Sequence, residues 1–166
     1  MDETSTQHSI ASSIARELSR RGETAAIAET SAGGLIAASL IGIPGASAWF
    51  VGGVIPYAAD MRLEWLGLGE VASGAVSGEM AKALAEAVRT RTGATWGVGE
   101  TGIAGPQVGR RSRKPTGLGF VAVAGPTGTF TNEVTSHEVG RHKNQVAFAT
   151  AALTLLYTCV IQASRL

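Results

Sequence analysis

Short apolar runs alternate with longer amphipathic segments along most of this 166-residue chain, and this alternation constrains the fold more than any other feature. Ile10, Ile14 and Leu18 recur at four-residue spacing, which predicts a helix over 5–21 that ends at Gly22. Further helices are predicted at 35–41, 60–66, 77–92 and 141–163, and strands at 24–29, 49–55, 95–99, 117–124 and 129–139. Such alternation is typical of parallel strands joined by crossover helices that cover both faces of a sheet.

Pro126-Thr127-Gly128 separates the last two predicted strands and gives the chain its one clear hairpin signal. A hairpin adds an antiparallel strand to an otherwise parallel sheet. The sequence therefore predicts an α/β fold: a single three-layer α/β/α sandwich around a mixed, mostly parallel sheet of about five strands. No repeat, linker or low-complexity segment interrupts the pattern, so we expect one domain over residues 1–166.

The composition narrows the class of protein. Hydrophobic residues make up 45% of the chain and charged residues 16%, which is typical of a globular protein and not of a disordered one. The net charge of +1 gives no support for a nucleic-acid or membrane partner. No apolar run approaches membrane-spanning length, and the acidic start Met1-Asp2-Glu3 is unlike a signal peptide. The single Cys159 is typical of a small buried residue in a reducing compartment, so we expect a cytoplasmic protein.

Three segments have the character of anion sites. Thr30-Ser31-Ala32-Gly33-Gly34 and the Thr101–Pro106 loop each follow a predicted strand, where free N–H groups and a helix dipole favour a phosphate. The spacing of the first loop matches neither the Rossmann nor the P-loop motif, so a simple helix cap is the favoured interpretation of that loop taken alone, and a tight turn is the corresponding alternative for the second. The basic run Arg110-Arg111-Ser112-Arg113-Lys114 is interpreted as a solvated loop, with phosphate binding as its alternative. Glu100, at the end of an apolar strand, is expected to be paired or functional if it is buried.

The segment Trp49–Ile55 is apolar and flanked by turn residues, which predicts a buried strand on which the two glycine-rich loops converge. Ser47 precedes it, and Tyr57 and Arg62 follow. A serine in a Pro-Gly turn is more often a cap than a nucleophile, because a nucleophile needs a base and the chain has no serine-hydrolase elbow motif. No metal or cofactor is predicted, since the histidines lack metal-ligand spacing; they are His8, His137 and His142.

Six motifs follow one another in order along most of the chain. They are Glu29-Thr30-Ser31-Ala32-Gly33-Gly34-Leu35-Ile36-Ala37, Pro44-Gly45-Ala46-Ser47-Ala48-Trp49-Phe50, Gly53-Val54-Ile55-Pro56-Tyr57, Gly74-Ala75-Val76-Ser77, Thr101-Gly102-Ile103-Ala104-Gly105-Pro106 and Lys114-Pro115-Thr116-Gly117. This series resembles the nicotinamide-nucleotide amidase family, which is also the carboxy-terminal domain of the competence/damage-inducible protein CinA. The resemblance implies hydrolysis of nicotinamide mononucleotide to nicotinate mononucleotide and ammonia by a Ser–Lys arrangement without metal.

The resemblance also implies roles for individual residues. By position, Ser47 is the nucleophile, Tyr57 and Thr101 are polar partners lining the site, and Arg141 matches the arginine that begins the last helix. Substrate-binding residues are expected in and beside the glycine-rich loops: Thr30, Ser31, Gly33, Gly34, Glu100, Gly102, Gly105 and Lys114. The partner implied is a small mononucleotide, with a homo-oligomer as an open possibility.

Two departures from the family pattern concern the base. The family's Thr-Tyr-Ser-Asn-x-x-Lys is here Pro56 to Arg62, so Arg62 stands at the catalytic lysine position. A guanidinium stays charged, so Arg62 can bind a phosphate or an oxyanion but cannot deprotonate Ser47. Glu100 replaces a small or apolar residue, and we hypothesise that it pairs with Arg62 or acts as a substitute base.

Three interpretations stay open at this stage. The first is an amidase whose base has moved to Glu100, Lys114 or a histidine. The second is a domain that binds a nucleotide with little or no turnover. The third is a domain that serves oligomerisation or binding to another protein.

Overall fold

The computed structural model describes residues 3–107 and 113–164. The helices are α1 Glu3–Arg21, α2 Leu35–Ile41, α3 Ala59–Leu66, α4 Gly78–Thr92 and α5 Arg141–Ala163. The strands are β1 Ala25–Glu29, β2 Phe50–Val54, β3 Trp96–Gly102, β4 Leu118–Gly125 and β5 Gly128–Thr135, and a 3-10 turn at Ala46–Ala48 precedes β2. The predicted order of helices and strands is confirmed.

The five strands form one open sheet in the order β2-β1-β3-β4-β5. β1 is parallel to both β2 and β3, whereas β4 is antiparallel to β3 and β5. Gly125 pairs with Gly128 across the two-residue turn of the β4–β5 hairpin, which confirms the hairpin signal. β3 runs three residues further than predicted, because Glu100 to Gly102 pair with β4 from Val121 to Gly119. Glu100, predicted at the end of the strand, therefore lies within it.

Helices cover both faces of the sheet, which makes the predicted three-layer sandwich. On one face α1, α2 and α5 enclose the larger core, in which Ile14, Leu153 and Leu156 pack with Ile27 and Val98 of the sheet. On the other face α4 packs across β1, β3 and β4, and α3 packs against α4. Burying apolar side chains on both faces is what makes the β1 and β3 sequences apolar at successive positions.

The α4 face of the sheet is built from very small residues. A Cβ atom added at Gly97 would overlap the backbone oxygen of Ala85, and one added at Gly99 would overlap that of Ala81. The helix backbone therefore rests directly on β3. Ser77 begins this helix as predicted, since its hydroxyl accepts a hydrogen bond from Met80 N at 3.1 Å.

β2 is an edge strand, so the prediction of a buried strand over 49–55 is wrong. Val51 is 50% exposed and Ile55 is 42% exposed, because β2 has a neighbouring strand only on its β1 side among the described residues. Trp49, which is 2% exposed, anchors the start of this segment in the core. The apolar sequence of β2 thus does not mean that it is covered within this chain.

The last helix corrects a second expectation. α5 is long and apolar enough to cross a membrane by length and composition alone, whereas no run of that length was expected. Its residues Phe148, Ala152 and Leu156 are fully buried among the other core side chains, and 44% of its most apolar window is buried. In this structure it is the main core helix of the sandwich.

Candidate functional site

A buried carboxylate organises the carboxyl ends of β1 and β3. Glu100 is fully buried, and its Oε2 accepts hydrogen bonds from Thr30 N and Ala32 N, each at 2.9 Å. Its Oε1 accepts a short hydrogen bond from the Ser31 hydroxyl. Burial raises the pKa of Glu100 to about 7, against the lowering effect of these hydrogen bonds, and the neighbouring Glu29 raises it further. Glu100 thus ties the first glycine-rich loop to β3.

Glu29 makes an equivalent connection that the sequence reasoning missed. Its carboxylate accepts hydrogen bonds from Ile36 N at 3.1 Å and Ala37 N at 3.0 Å, in the first turn of α2. Burial raises its pKa. Glu29 stands directly beside Glu100 in the β1–β3 register. Its position at the end of an apolar strand, the same signal that singled out Glu100, would have found it.

The glycines of the first loop fit the space left by neighbouring elements. Gly33 and Gly34 have φ angles of 69° and 100°, in a region that favours glycine. A Cβ atom on Gly33 would lie 2.9 Å from Gln145 Nε2, and one on Gly34 would lie 3.3 Å from Ile55 Cδ1. Gly102, near the start of the second glycine-rich segment, packs against the first loop, since a Cβ atom on Gly102 would lie 2.9 Å from the Ser31 hydroxyl oxygen. The two glycine-rich loops therefore meet, as predicted, and they do so beside the end of β2.

Arg141 connects α5 with two distant segments at the carboxyl ends of the parallel strands. Its guanidinium donates to the Tyr57 hydroxyl at 2.9 Å and to the Gly105 carbonyl at 3.2 Å. Both Tyr57 and Arg141 are exposed. Arg141 thus contacts two other predicted site residues, the exposed Tyr57 after β2 and the buried Gly105 of the second glycine-rich loop, and places a positive charge at the surface.

Two further residues at the start of α5, which were not predicted, hold the glycine-rich loops at this end of the sheet. Asn144, which is fully buried, donates to the Ala104 carbonyl at 2.9 Å, and Gln145 donates to the Ser31 carbonyl at 3.0 Å. Each holds one of the glycine-rich loops against the helix. The polar stretch that opens an otherwise apolar helix was the available signal.

A pocket of about 430 Å³ lies between α3, α4 and the loop that joins them, and Arg62 lines it. Its wall includes Asp60, Leu63 and Met80. The Thr101 hydroxyl donates to the carbonyl of Ala75, another wall residue, at 2.8 Å. Arg62 therefore lines this pocket, and Thr101 is hydrogen-bonded to a residue of its wall. The first lining residue along the chain is Ala59, two residues after Tyr57.

The hypothesised pairing of Glu100 with Arg62 is not formed. Within the described residues, the hydrogen bonds that Glu100 accepts through its side chain all come from the Thr30–Ala32 segment. The carboxylate is enclosed between strands and loop, whereas Arg62 lies on α3 at the pocket wall. A fully buried glutamate gains more from backbone N–H donors than from a guanidinium that would have to leave solvent.

Lys114 lies beside the loop that precedes α4. Its ammonium donates to the Val76 carbonyl and, at 3.4 Å, to the Ser73 carbonyl, and it lies 5.7 Å from the centre of the Phe120 ring. These contacts fix the loop that precedes α4. Arg110, Arg111 and Ser112 of the predicted basic run lie outside the described residues.

Ser47 lies at the opposite end of β2 from Tyr57. It is exposed in the 3-10 turn that precedes the strand, whereas the glycine-rich loops, Tyr57 and Arg141 lie at the carboxyl ends of the parallel strands. Five strand residues at about 3.3 Å each separate the two ends by roughly 15 Å. The two glycine-rich loops, which were predicted to converge on the Trp49–Ile55 segment, meet beside its carboxyl end, and Ser47 lies before its other end.

Comparisons with known proteins agree on the family. A sequence profile of the CinA C-terminal domain matches residues 7–160. A CinA-like protein of Frankia casuarinae is 46% identical over 120 residues, which cover 70% of this chain and 27% of that protein. A putative competence-damage inducible protein of Halothermothrix orenii is 40% identical over 152 residues, or 90% of this chain and 37% of that protein. This chain thus spans only about a quarter to two fifths of the length of these relatives.

Solved structures share the fold over nearly the whole chain. The competence/damage inducible protein CihA from Agrobacterium tumefaciens has a TM-score of 0.86 and 32% identity, covering 92% of this chain and 94% of its own. A CinA superfamily protein from Klebsiella pneumoniae has a TM-score of 0.85 at 22% identity, covering 94% and 98%, and supports the fold alone. The chain belongs to the CinA C-terminal domain family.

Proposed function

We propose that this CinA C-terminal domain is an amidohydrolase that converts nicotinamide mononucleotide to nicotinate mononucleotide and ammonia. The resemblance described from the motifs implies this chemistry, and the names of the relatives extend only to CinA and competence or damage. The proposal includes a cytoplasmic location, where such a nucleotide is made and used, and no nucleic-acid or membrane partner.

One observation carries the proposal: Arg141 holds Tyr57 and the Gly105 carbonyl together and presents an exposed guanidinium at the carboxyl ends of the parallel strands. A guanidinium presents several N–H donors in a plane and suits a phosphate group. The 430 Å³ pocket is of the size that small-molecule ligands occupy. A mononucleotide has both parts, a phosphate for Arg141 and a flat ring for a partly apolar pocket.

The reaction requires an activated hydroxyl. The Ser47 oxygen adds to the amide carbonyl carbon while its proton passes to a base, and the carbonyl electron pair moves to the oxygen to give an oxyanion. Collapse of this intermediate breaks the C–N bond, and the nitrogen takes up a proton and leaves as ammonia. Water then cleaves the ester, releases the carboxylate and restores the hydroxyl.

The contacts of each candidate base bear on which one we propose. A guanidinium is not a usable base, so the role that we propose for Arg62 in the pocket is to bind negative charge on the substrate or the oxyanion. Glu100 is fully buried with both oxygens accepting hydrogen bonds, which suits a positioning role. Lys114 donates its protons to carbonyl oxygens. Among the exposed histidines, His142 is the one that directly follows Arg141 in the chain, so we propose it as the proton acceptor, and His142→Gln tests it.

A nucleotide-binding domain without turnover is the second candidate, and Arg62 at the lysine position favours it. The test is ammonia release from nicotinamide mononucleotide by the purified protein, with binding measured in parallel by calorimetry. Release that Ser47→Ala abolishes and the surface variant Phe130→Ala keeps would support the amidase. Binding without release would support the second candidate, and recovery in Arg62→Lys would assign the loss to that position. Neither binding nor release would overturn both proposals.

A further inference from the structure

Residues 73–76, called the strap below, lead into α4 and contribute to the wall of the pocket that Arg62 lines. Gly74 and Ala75 are the strap residues that line this pocket. The strap has no regular secondary structure, and its side chains are small. Its position therefore depends on how its backbone is held and not on side chains packed in the core.

Two hydroxyl groups hold the middle of the strap. The Ser77 hydroxyl donates to the Gly74 carbonyl at 2.7 Å, and the Thr101 hydroxyl donates to the Ala75 carbonyl at 2.8 Å. Thr101 belongs to β3 and is 3% exposed. The pocket wall is thus tied to the sheet through a side chain that is itself buried.

Lys114 holds both ends of the strap. Its ammonium donates to the carbonyl of Ser73, the first strap residue, and to that of Val76, the last. The same ammonium lies over the ring of Phe120, a residue of β4. Hydrogen bonds from a charged donor are stronger than those between neutral groups. With the two hydroxyls, each of the four strap carbonyls accepts a hydrogen bond from a side chain outside the strap.

We propose that Lys114 and Thr101 are positioning residues for this pocket: they hold the strap in its place opposite Arg62, and they act on a bound ligand through the strap, without touching it. This role differs from those that the motif resemblance implies, in which Thr101 lines the site and Lys114 binds the substrate. The effect on nicotinamide mononucleotide rests on the proposed amidase function, whereas the effect on the pocket wall stands without it.

Chemical modification of Arg62 tests the pocket wall without any ligand. Phenylglyoxal reacts with accessible guanidinium groups, and Arg62 is half-buried at the pocket. Lys114→Met keeps an apolar side chain over Phe120 but removes the ammonium, and Thr101→Val removes the hydroxyl. Both changes should speed up the modification of Arg62 several-fold, measured by mass spectrometry of its peptide, because a loosened strap uncovers the guanidinium. Arg20, which is 62% exposed on α1, is the internal control and should react at one rate in all proteins. An unchanged or slower reaction of Arg62 in both variants would overturn the proposal.

Calorimetric binding of nicotinamide mononucleotide tests the consequence for the ligand. Lys114→Met and Thr101→Val should each weaken binding by about 10-fold, the loss expected for one charged or well-buried hydrogen bond. Thr101→Ser keeps the hydroxyl and should bind as the wild type does. In ammonia release the KM value should rise more than kcat falls, since neither residue contacts the reacting atoms. The matched controls are Lys82→Met and Thr154→Val, which change an exposed lysine and an exposed threonine on helix surfaces away from the strap and should have no effect.

The double variant Lys114→Met/Thr101→Val separates positioning from direct contact. If both residues act through one strap, the double variant should bind about as weakly as the weaker single variant, because the strap needs to be freed only once. Effects that multiply would mean separate contacts with the ligand and would overturn the proposal. If the wild type neither binds nicotinamide mononucleotide nor releases ammonia while both single variants speed up the modification of Arg62, the amidase proposal fails and the positioning role stands. If the wild type is active but the variants change neither affinity nor modification, the positioning role fails and the amidase proposal stands.

Discussion

Glu100 should make the stability of this domain fall as the pH rises through neutrality. Its folded-state pKa is about 7, against an ordinary value of 4.5, because burial disfavours the carboxylate. The folded protein therefore binds more protons than the unfolded chain between these two values. The stabilisation is fully present below about pH 4.5 and is lost as the pH rises through about 7. At about 1.4 kcal/mol for each pH unit between the two pKa values, the loss amounts to roughly 3 kcal/mol.

Glu100→Gln should remove this part of the pH dependence. A glutamine oxygen can accept from Thr30 N and Ala32 N, while its amide group donates to the Ser31 hydroxyl, so the three contacts keep partners. At pH 5 the two proteins should have similar free energies of unfolding. At pH 8.5 the variant should be more stable than the wild type by a few kcal/mol, up to roughly 3.

The measurement is urea unfolding followed by tryptophan fluorescence at half-unit intervals from pH 5 to 8.5. Glu133→Gln on the exposed face of β5 controls for the loss of one carboxylate without burial. The difference between wild type and Glu100→Gln should change with pH in this window. Parallel curves for these two proteins would refute the argument, as would a difference of the opposite sign.

Three further predictions concern packing, capping and binding. Gly99→Ala should lower the free energy of unfolding by about 1–3 kcal/mol in urea, because the new Cβ overlaps the backbone of Ala81, whereas Gly69→Ala, with open space around it, should change it little. Ser77→Ala removes the cap of α4 and should cost about 1 kcal/mol in the same assay, and an unchanged midpoint would contradict that role. Arg141→Ala should weaken calorimetric binding of nicotinamide mononucleotide by roughly 10- to 100-fold, since a charged hydrogen bond to phosphate is worth about 1.5–3 kcal/mol; equal affinity would remove Arg141 from the phosphate site.

The sandwich was predictable because local signals agree with it along the chain. Ser77 and Gly93 bound α4 in sequence and in structure, and Gly125 and Gly128 flank the turn of the hairpin. The strand order was not predictable, because a run of apolar residues has the same appearance at an edge as in the centre of a sheet. β2 has the sequence of a buried strand and lies at the edge, which left the position of Ser47 undetermined until the register was known.

The candidate site was predictable to the extent that glycine-rich loops mark the carboxyl ends of parallel strands. Thr30, Ser31 and Gly102 lie together as that rule requires. The partners of Glu100 could not be predicted, because a buried carboxylate is satisfied equally by a guanidinium or by backbone N–H groups. Only the three-dimensional register shows that the Thr30–Ala32 segment supplies those groups, and that α5 supplies Gln145 to the same loop.

Two adjacent buried glutamates, Glu29 and Glu100, fix the backbone of the candidate site. Glu29 holds the first turn of α2 and Glu100 holds the loop before it, and the two carboxyls stand side by side in the β1–β3 register. A charge on one raises the pKa of the other, so the second proton is harder to remove than the first. Each remaining proton lowers the repulsion under the loop that packs against Gln145 of α5, the helix that presents Arg141. The buried pair therefore lies under a loop that Gln145 connects to α5, the helix that begins at Arg141.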